Sequence, residues 1–174
     1  MPATTRAAEQ YSSTIVNLAL VASLASDALL PKTITLQEVI QQRKLTALFQ
    51  PLLGLGSGEF IGYEGLIRGP ADSPLHSPVN LFSAALQQGL SLELEMLCRQ
   101  IVLESFARLN LPGNLFLNVS PEALTHPSFK NGQTLEFLTK LGISPERVII
   151  EITENQPTHD FVAIRSALLH YRSM

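Results

Sequence analysis

Strand-like and helix-like segments alternate along most of this sequence, and this alternation constrains the fold more than any other feature. There are four short apolar segments, and segments with helical periodicity follow the second, third and fourth of them. The predicted strands cover residues 45–53, 60–68, 115–120 and 148–154, and the predicted helices cover residues 35–43, 80–88, 92–109, 121–124, 133–141 and 160–171. Because such alternation is typical of a parallel sheet, the sequence predicts an α/β fold.

The first two predicted strands lie close together in the chain. Only a short segment separates them, and it carries glycine at every second position, Gly54, Gly56 and Gly58. This spacing and composition favour a hairpin turn. We therefore expect the first strand to run antiparallel to the second.

The length and the net charge of the chain limit the size of its fold and the kind of partner it can bind. The chain has 174 residues, which is enough for one domain with a core but short for a complete eight-stranded α/β barrel of about 250 residues. Its net charge of −3 gives no basic surface for long DNA or RNA. We expect a soluble domain with about four strands and no polymeric nucleic acid as partner.

Residues 1–35 form a separate N-terminal region in the sequence. Apolar residues recur there at spacings of four and three, at Tyr11, Ile15, Leu18, Ala22, Ala25 and Leu29. Asn17 and Asp27 interrupt the apolar stretch, so we expect neither a membrane span nor a signal peptide. The favoured interpretation is a helical leader or linker; a short dimerisation coil is the alternative.

The second predicted strand, Phe60–Arg68, carries charged groups on an otherwise apolar segment. Since side chains alternate along a strand, Glu64, Leu66 and Arg68 lie on one face. An ionised carboxylate on a buried face is costly unless something pairs with it, and a metal ion or a phosphate ligand would do so.

Two later strands carry polar residues in the same way, Asn118 on the third and Glu151 on the fourth. Glu64, Asn118 and Glu151 all fall at or near the carboxyl ends of their strands, where α/β barrels place functional groups. Their ligand atoms are all oxygen, which favours Mg²⁺ or Mn²⁺ over Zn²⁺. Arg68 lies roughly 13 Å along the strand from Glu64, so a phosphate or base contact suits it better than the metal.

Each of these residues also has a purely structural interpretation. Glu64 could pair with Arg68 at the rim of the sheet, and Asn118 could satisfy the backbone of a strand-to-helix turn. Glu151 and Glu154 could form a solvated acidic end. These alternatives stay open for the single residues.

Four motifs together resemble the EAL domain, the family of bacterial cyclic di-GMP phosphodiesterases. They are Phe49-Gln50-Pro51, Glu64-Gly65-Leu66-Ile67-Arg68, Asn118-Val119-Ser120-Pro121 and Glu151-Ile152-Thr153-Glu154. The resemblance runs from about residue 36 to residue 174 and covers the front part of the family's barrel. It therefore implies a partial TIM-like barrel and a role in cytoplasmic second-messenger signalling.

The resemblance also implies roles for individual residues. Glu64, Asn118 and Glu151 match the family's metal ligands for Mg²⁺ or Mn²⁺. The positions that contact cyclic di-GMP are matched by Gln50, Leu66 and Arg68. Glu154 matches an acid that anchors a later active-site loop, so the catalytic set is Glu64, Glu151 and Glu154. Gly65 stands where the family usually has alanine.

The family's later catalytic motifs have no match here, and no two adjacent aspartates occur anywhere in the sequence. A metal site without a general base is expected to be slow or inactive. We therefore expect this chain to be inactive alone, with a non-catalytic cyclic di-GMP-binding or protein-interaction module as the alternative. A half barrel would leave open strand edges, which predicts a homodimer, a marginal fold or a fragment of a longer parent.

Cys98 is the single cysteine, and it lies within a helical pattern. We expect a buried and unreactive thiol, no disulfide and a reducing compartment. The four histidines are scattered without metal-ligand spacing, so they are interpreted as surface or loop residues.

Overall fold

The computed structural model describes residues 34–126, 133–152 and 160–172. The predicted N-terminal helix, Glu154 and His159 lie outside the described residues. The division into a leader over 1–35 and a domain over 36–174 stays a prediction. Among the described helices, none is both long enough and apolar enough to cross a bilayer.

The described elements follow the predicted order of strands and helices. The strands are β1 (Thr46–Leu53), β2 (Phe60–Arg68), β3 (Asn114–Val119) and β4 (Val148–Ile152). The α-helices are α1 (Leu36–Gln41), α2 (Pro78–Gln88), α3 (Ser91–Arg108), α4 (Pro121–Thr125), α5 (Gln133–Leu141) and α6 (Phe161–Arg172), and 3₁₀ turns cover Pro74–His76 and Pro145–Arg147.

The four strands form one sheet in the order β1-β2-β3-β4. Strand β1 pairs antiparallel with β2, whereas the β2–β3 and β3–β4 pairs are parallel. The predicted antiparallel first strand is confirmed. The hairpin between β1 and β2 closes as expected, with the Gly54 N–H donating to the Glu59 carbonyl at 2.8 Å.

Local capping explains where two helices begin. Thr35 accepts from the Glu38 N–H while the Glu38 carboxylate accepts from the Thr35 N–H, so the spacing of these two residues produces a capping box at α1. Strand β3 ends at Val119, one residue earlier than predicted, because Ser120 is the N-cap of α4 and accepts from the Ala123 N–H at 3.1 Å.

One face of the sheet is covered by the helices, and α3 lies at the centre of that layer. The side chains of β3 that point to this face, Leu115, Leu117 and Val119, are all buried. Leu94 and Phe106 of α3 are buried in the same core, between the helices and the sheet. Because β-strand side chains alternate, Phe116 and Asn118 of β3 lie on the opposite face, on which Asn118 is exposed.

Strands β1 and β4 lie at the two edges of the described sheet. A homodimer through such edges stays a prediction. Sedimentation at several concentrations would test it, since edge pairing would give a concentration-dependent mass.

Gly65 of β2 points toward α3, and its lack of a side chain lets the helix approach the strand. A Cβ at this position would lie closer to Val102 Cγ1 than a van der Waals contact allows. The alanine that the family resemblance implies would therefore not fit here without movement of Val102, which is itself buried.

We expect Gly65→Ala to lower the free energy of unfolding by about 1–3 kcal/mol, because it overpacks the strand–helix contact. In the double variant Gly65→Ala/Val102→Ala, the removed methyl groups make room for the new one. Urea unfolding should therefore give a double-variant cost well below the sum of the two single costs. Additive costs would show that the two positions do not compete for space.

Candidate metal and nucleotide site

Three neighbouring parallel strands bring the predicted metal ligands to the open face of the sheet. Glu64 of β2 lies opposite Phe116 of β3, and Asn118 follows Phe116 by two residues on the same face. Asn118 lies directly opposite Glu151 of β4. Since adjacent strands are about 4.8 Å apart, the three side chains form one short row across the sheet.

A direct hydrogen bond joins the first two of these residues. The Asn118 amide Nδ2 donates to Glu64 Oε1 at 2.7 Å. The Arg68 guanidinium instead donates from Nη1 to the Ile67 carbonyl at 2.8 Å. Glu64 is therefore bonded to Asn118 and not to Arg68, and the turn after β3 is capped by Ser120 and not by Asn118.

The two carboxylates are close enough to interact through their charges. Partial burial raises the pKa of Glu151 above its ordinary value, and the negative charge of Glu64 raises it further. A divalent cation between the carboxylates would remove this repulsion.

The donor set suits a hard divalent cation. Two carboxylates and one amide supply only oxygen ligands, which fit Mg²⁺, Mn²⁺ or Ca²⁺. Such cations take about six or more ligands, so these three side chains would leave coordination positions for water or a ligand. Within the described ranges, no group of three or more His, Cys, Asp or Glu side chains is placed to complete the set.

The residues expected to contact the nucleotide extend this row. Gln50 of β1 lies opposite Glu64, and Leu48 lies opposite Leu66. Gln50 is exposed, whereas Leu66 and Arg68 are half-buried. The site residues of the described strands thus share one face, while Glu154 lies outside the described residues.

A cavity of about 350 Å³ opens beside this row, between β2, β3 and the helices α2 and α3. The sheet lines it with Gly65, Ile67 and Leu117 of the helix-covered face and with Leu66, Arg68 and Asn118. Phe82 of α2 and Glu95 of α3 line it from the helices.

Sequence reasoning missed Glu95, which is a carboxylate on the packed side of α3. It lies beside the buried Leu94 and three residues before the buried Cys98, and this position in the helical period is the signal that could have identified it. Its Oε2 accepts from the Ser120 N–H at 3.3 Å. Burial raises its pKa, although hydrogen bonds from Ser120 oppose this rise.

Because the pKa of Glu95 is raised in the folded chain, the free energy of unfolding should depend on pH through this residue. A carboxyl whose pKa is higher in the folded state favours folding most below its unfolded pKa, and this contribution is lost as pH rises through the folded pKa. We therefore expect the melting temperature of Glu95→Gln, relative to the unchanged chain, to increase between pH 4.5 and 7. A difference that is constant or decreases with pH would contradict the assignment.

Cys98 is buried beside the same cavity, as expected from the helical pattern. Burial, followed by the negative charge of Glu95, raises the pKa of its thiol to about 12. The thiolate is therefore scarce at neutral pH, which agrees with the predicted unreactive cysteine.

The model of the EAL domain family matches residues 34–174 of this chain. The chain belongs to the EAL domain family. This result confirms the resemblance of the four motifs, and the partial barrel with an antiparallel first strand agrees with the fold of its solved neighbours.

The EAL chain is similar to a probable cyclic di-GMP phosphodiesterase of Escherichia coli, PdeB. The two are 29% identical over 126 residues, which is 70% of this chain and 24% of PdeB. The EAL chain thus spans about a quarter of the length of this relative.

Solved EAL domains share the fold at lower identity. The Xanthomonas citri FimX EAL domain in complex with cyclic di-GMP has a TM-score of 0.67 and 17% identity, covering 79% of this chain and 55% of the solved domain chain. Klebsiella pneumoniae BlrP1, solved with calcium and cyclic di-GMP, has a TM-score of 0.63 and 23% identity, covering 89% of this chain and 41% of BlrP1. BlrP1 was also solved with manganese and cyclic di-GMP, and with FMN and cyclic di-GMP but no metal ions.

Proposed function

We propose that the open face of β2, β3 and β4 binds a divalent cation and cyclic di-GMP as part of a phosphodiesterase site. The observation that carries this proposal is the row formed by Glu64, Asn118 and Glu151. These three oxygen-bearing side chains come from three adjacent strands, two of them are hydrogen-bonded, and the two carboxylates repel each other. Membership of the EAL family and similarity to a probable cyclic di-GMP phosphodiesterase support the choice of this nucleotide. The proposed reaction is its hydrolysis to a linear dinucleotide in bacterial signalling.

Glu64, Asn118 and Glu151 would hold the cation, which we propose to be Mg²⁺ or Mn²⁺. When bound, such an ion polarises a phosphoryl oxygen and lowers the pKa of a bound water. Without a cation, the two carboxylates would repel the nucleotide phosphates, because all of these groups are negatively charged. The metal should therefore strengthen the binding of cyclic di-GMP.

Arg68 would contact the nucleotide rather than the metal. Its guanidinium is half-buried beside the cavity and keeps further N–H donors after the bond to Ile67, and such donors suit a phosphate. Gln50 and Leu66 would bind the nucleotide on the same face, with Gln50 beside Glu64. Glu154 is proposed, from its motif alone, to anchor an active-site loop.

Binding without turnover is the second candidate function for this chain by itself. The described row supplies ligands for one cation, and its carboxylates are both assigned to that cation. The sequence holds no adjacent pair of aspartates that could match the family's later motif. We therefore propose that this chain binds cyclic di-GMP but does not hydrolyse it alone, in the cytoplasm of a bacterium.

Chromatography of cyclic di-GMP incubated with the chain and Mg²⁺ or Mn²⁺ tests this part of the proposal. We expect no more linear dinucleotide than in the metal-only control. Product that forms with the unchanged chain and disappears with Glu64→Gln would contradict binding without turnover. It would show instead that this chain completes a catalytic site.

A further inference from the structure

Glu95 connects helix α3 to the end of strand β3. Its carboxylate accepts from the Ser120 N–H at 3.3 Å. The Ser120 hydroxyl in turn accepts from the Ala123 N–H at 3.1 Å. Ser120 is buried. It is held by Glu95 of α3 and by the N-terminal turn of α4, which it caps.

This arrangement is costly for the fold. Glu95 is half-buried on a helix face whose neighbours, Leu94, Leu97 and Cys98, belong to the core. Burying a carboxylate there disfavours its charged form, as the direction of its pKa shift indicates. The proposed metal row does not use Glu95 as a ligand, and the hydrogen bond that its carboxylate makes is to Ser120.

Ser120 lies two residues after Asn118, and the residue between them is Val119, which is buried in the core. The chain on the carboxyl side of Asn118 therefore has little freedom as long as Ser120 is held. The side chain of Asn118 in turn donates from its amide nitrogen to the Glu64 carboxylate at 2.7 Å. A shift of Ser120 would be passed directly to the direction of the Asn118 side chain.

We propose that Glu95 is a positioning residue, which holds Ser120 through α3 and so fixes the orientation of Asn118 against Glu64. The inference deepens the proposed function and rests on it for the importance of Asn118 as a metal ligand. The positioning itself concerns only contacts within this chain, so it is testable without metal or nucleotide.

The test records the side-chain amide signals of asparagine by ¹⁵N NMR in the full chain, with the Asn118 pair assigned by its loss in Asn118→Ala. Glu95→Ala removes the acceptor, and Glu95→Asp keeps the charge but withdraws the oxygens by one methylene. Both should shift or broaden the Asn118 pair. Glu95→Gln keeps an acceptor at the same reach and should retain the unchanged signal.

Two controls separate positioning from general loosening. Glu93→Ala removes an exposed acid from the same helix and should leave the Asn118 pair in place. The Asn80 side chain, which donates to the Pro74 carbonyl at 2.9 Å, is an internal reference that should stay constant in every variant. An unchanged Asn118 pair in folded Glu95→Ala or Glu95→Asp would overturn the proposal, as would equal movement of the Asn80 pair.

A Mn²⁺ titration followed by electron paramagnetic resonance extends the test to the metal. Partners that orient a ligand typically contribute about 10–100-fold to metal affinity, so we expect about tenfold weaker binding in Glu95→Ala and normal binding in Glu93→Ala. Equal affinity in Glu95→Ala and the unchanged chain would overturn the role toward the metal. If the unchanged chain binds no Mn²⁺, the proposed function fails, and the NMR comparison still decides the positioning role.

Discussion

Replacing Phe106 by alanine should lower the free energy of unfolding by about 3–5 kcal/mol, the usual range for a fully buried phenylalanine. Its side chain is 1% exposed at the centre of the helix layer. Its ring lies 6.0 Å from the Phe49 ring of β1, and the Arg147 guanidinium lies 5.1 Å above it. The substitution therefore removes core volume, an aromatic contact and a cation–π contact together.

The effect should reach the segment that leads into β3. Arg147 donates to the carbonyls of Leu111 and Gly113, and the Phe106 ring supports the guanidinium in that position. Urea unfolding followed by circular dichroism would measure the cost. Leu109→Ala, just beyond the end of the same helix and half exposed, is the matched control and should cost little. Equal costs for the two variants would contradict the placement of the core.

Replacing Glu64 by glutamine should weaken Mn²⁺ binding at least as much as the loss of a partner that orients a ligand, which typically costs about 10–100-fold. The variant keeps the shape of the side chain but removes one of the two negative charges in the donor set. Since the Asn118 amide can still donate to the carbonyl oxygen of the introduced glutamine, the sheet should remain folded and its melting temperature should change little.

Glu59→Gln is the matched control for this loss of charge. Glu59 is an exposed acid in the β1–β2 hairpin. Its backbone N–H donates to the Ser57 hydroxyl, and this hydrogen bond does not involve its carboxylate. Its replacement should leave Mn²⁺ affinity unchanged. Equal weakening by both substitutions would show that the ion responds to net charge and not to the row of ligands.

The sequence was sufficient for the features that depend on local periodicity. Alternation along β2 placed Glu64, Leu66 and Arg68 on one face, and the register of the sheet shows that Gln50 lies beside Glu64. The glycine-rich turn predicted the antiparallel hairpin because only a short connection joins its strands. Four motifs in order then predicted the family, which a single motif would not have done.

Other features depend on contacts between distant elements, which no local pattern contains. The bond between Glu64 and Asn118 spans 54 positions of the chain and displaces the alternative pairing of Glu64 with Arg68. The partner of Glu95 was hidden for the same reason, since Ser120 lies 25 residues away. The sequence showed only that Gly65 stands where the family usually has alanine, whereas the position of Val102 on α3 shows why glycine fits there.

Calorimetric titration of cyclic di-GMP into the chain, with and without Ca²⁺ as a non-reacting cation, tests the central proposal most directly. We expect saturable binding that the cation strengthens and that is weakened in Glu64→Gln but kept in Glu59→Gln. Absence of heat and of any thermal shift with the unchanged chain would contradict it. Binding that is equally strong without the cation would place the nucleotide elsewhere than on the row of Glu64, Asn118 and Glu151.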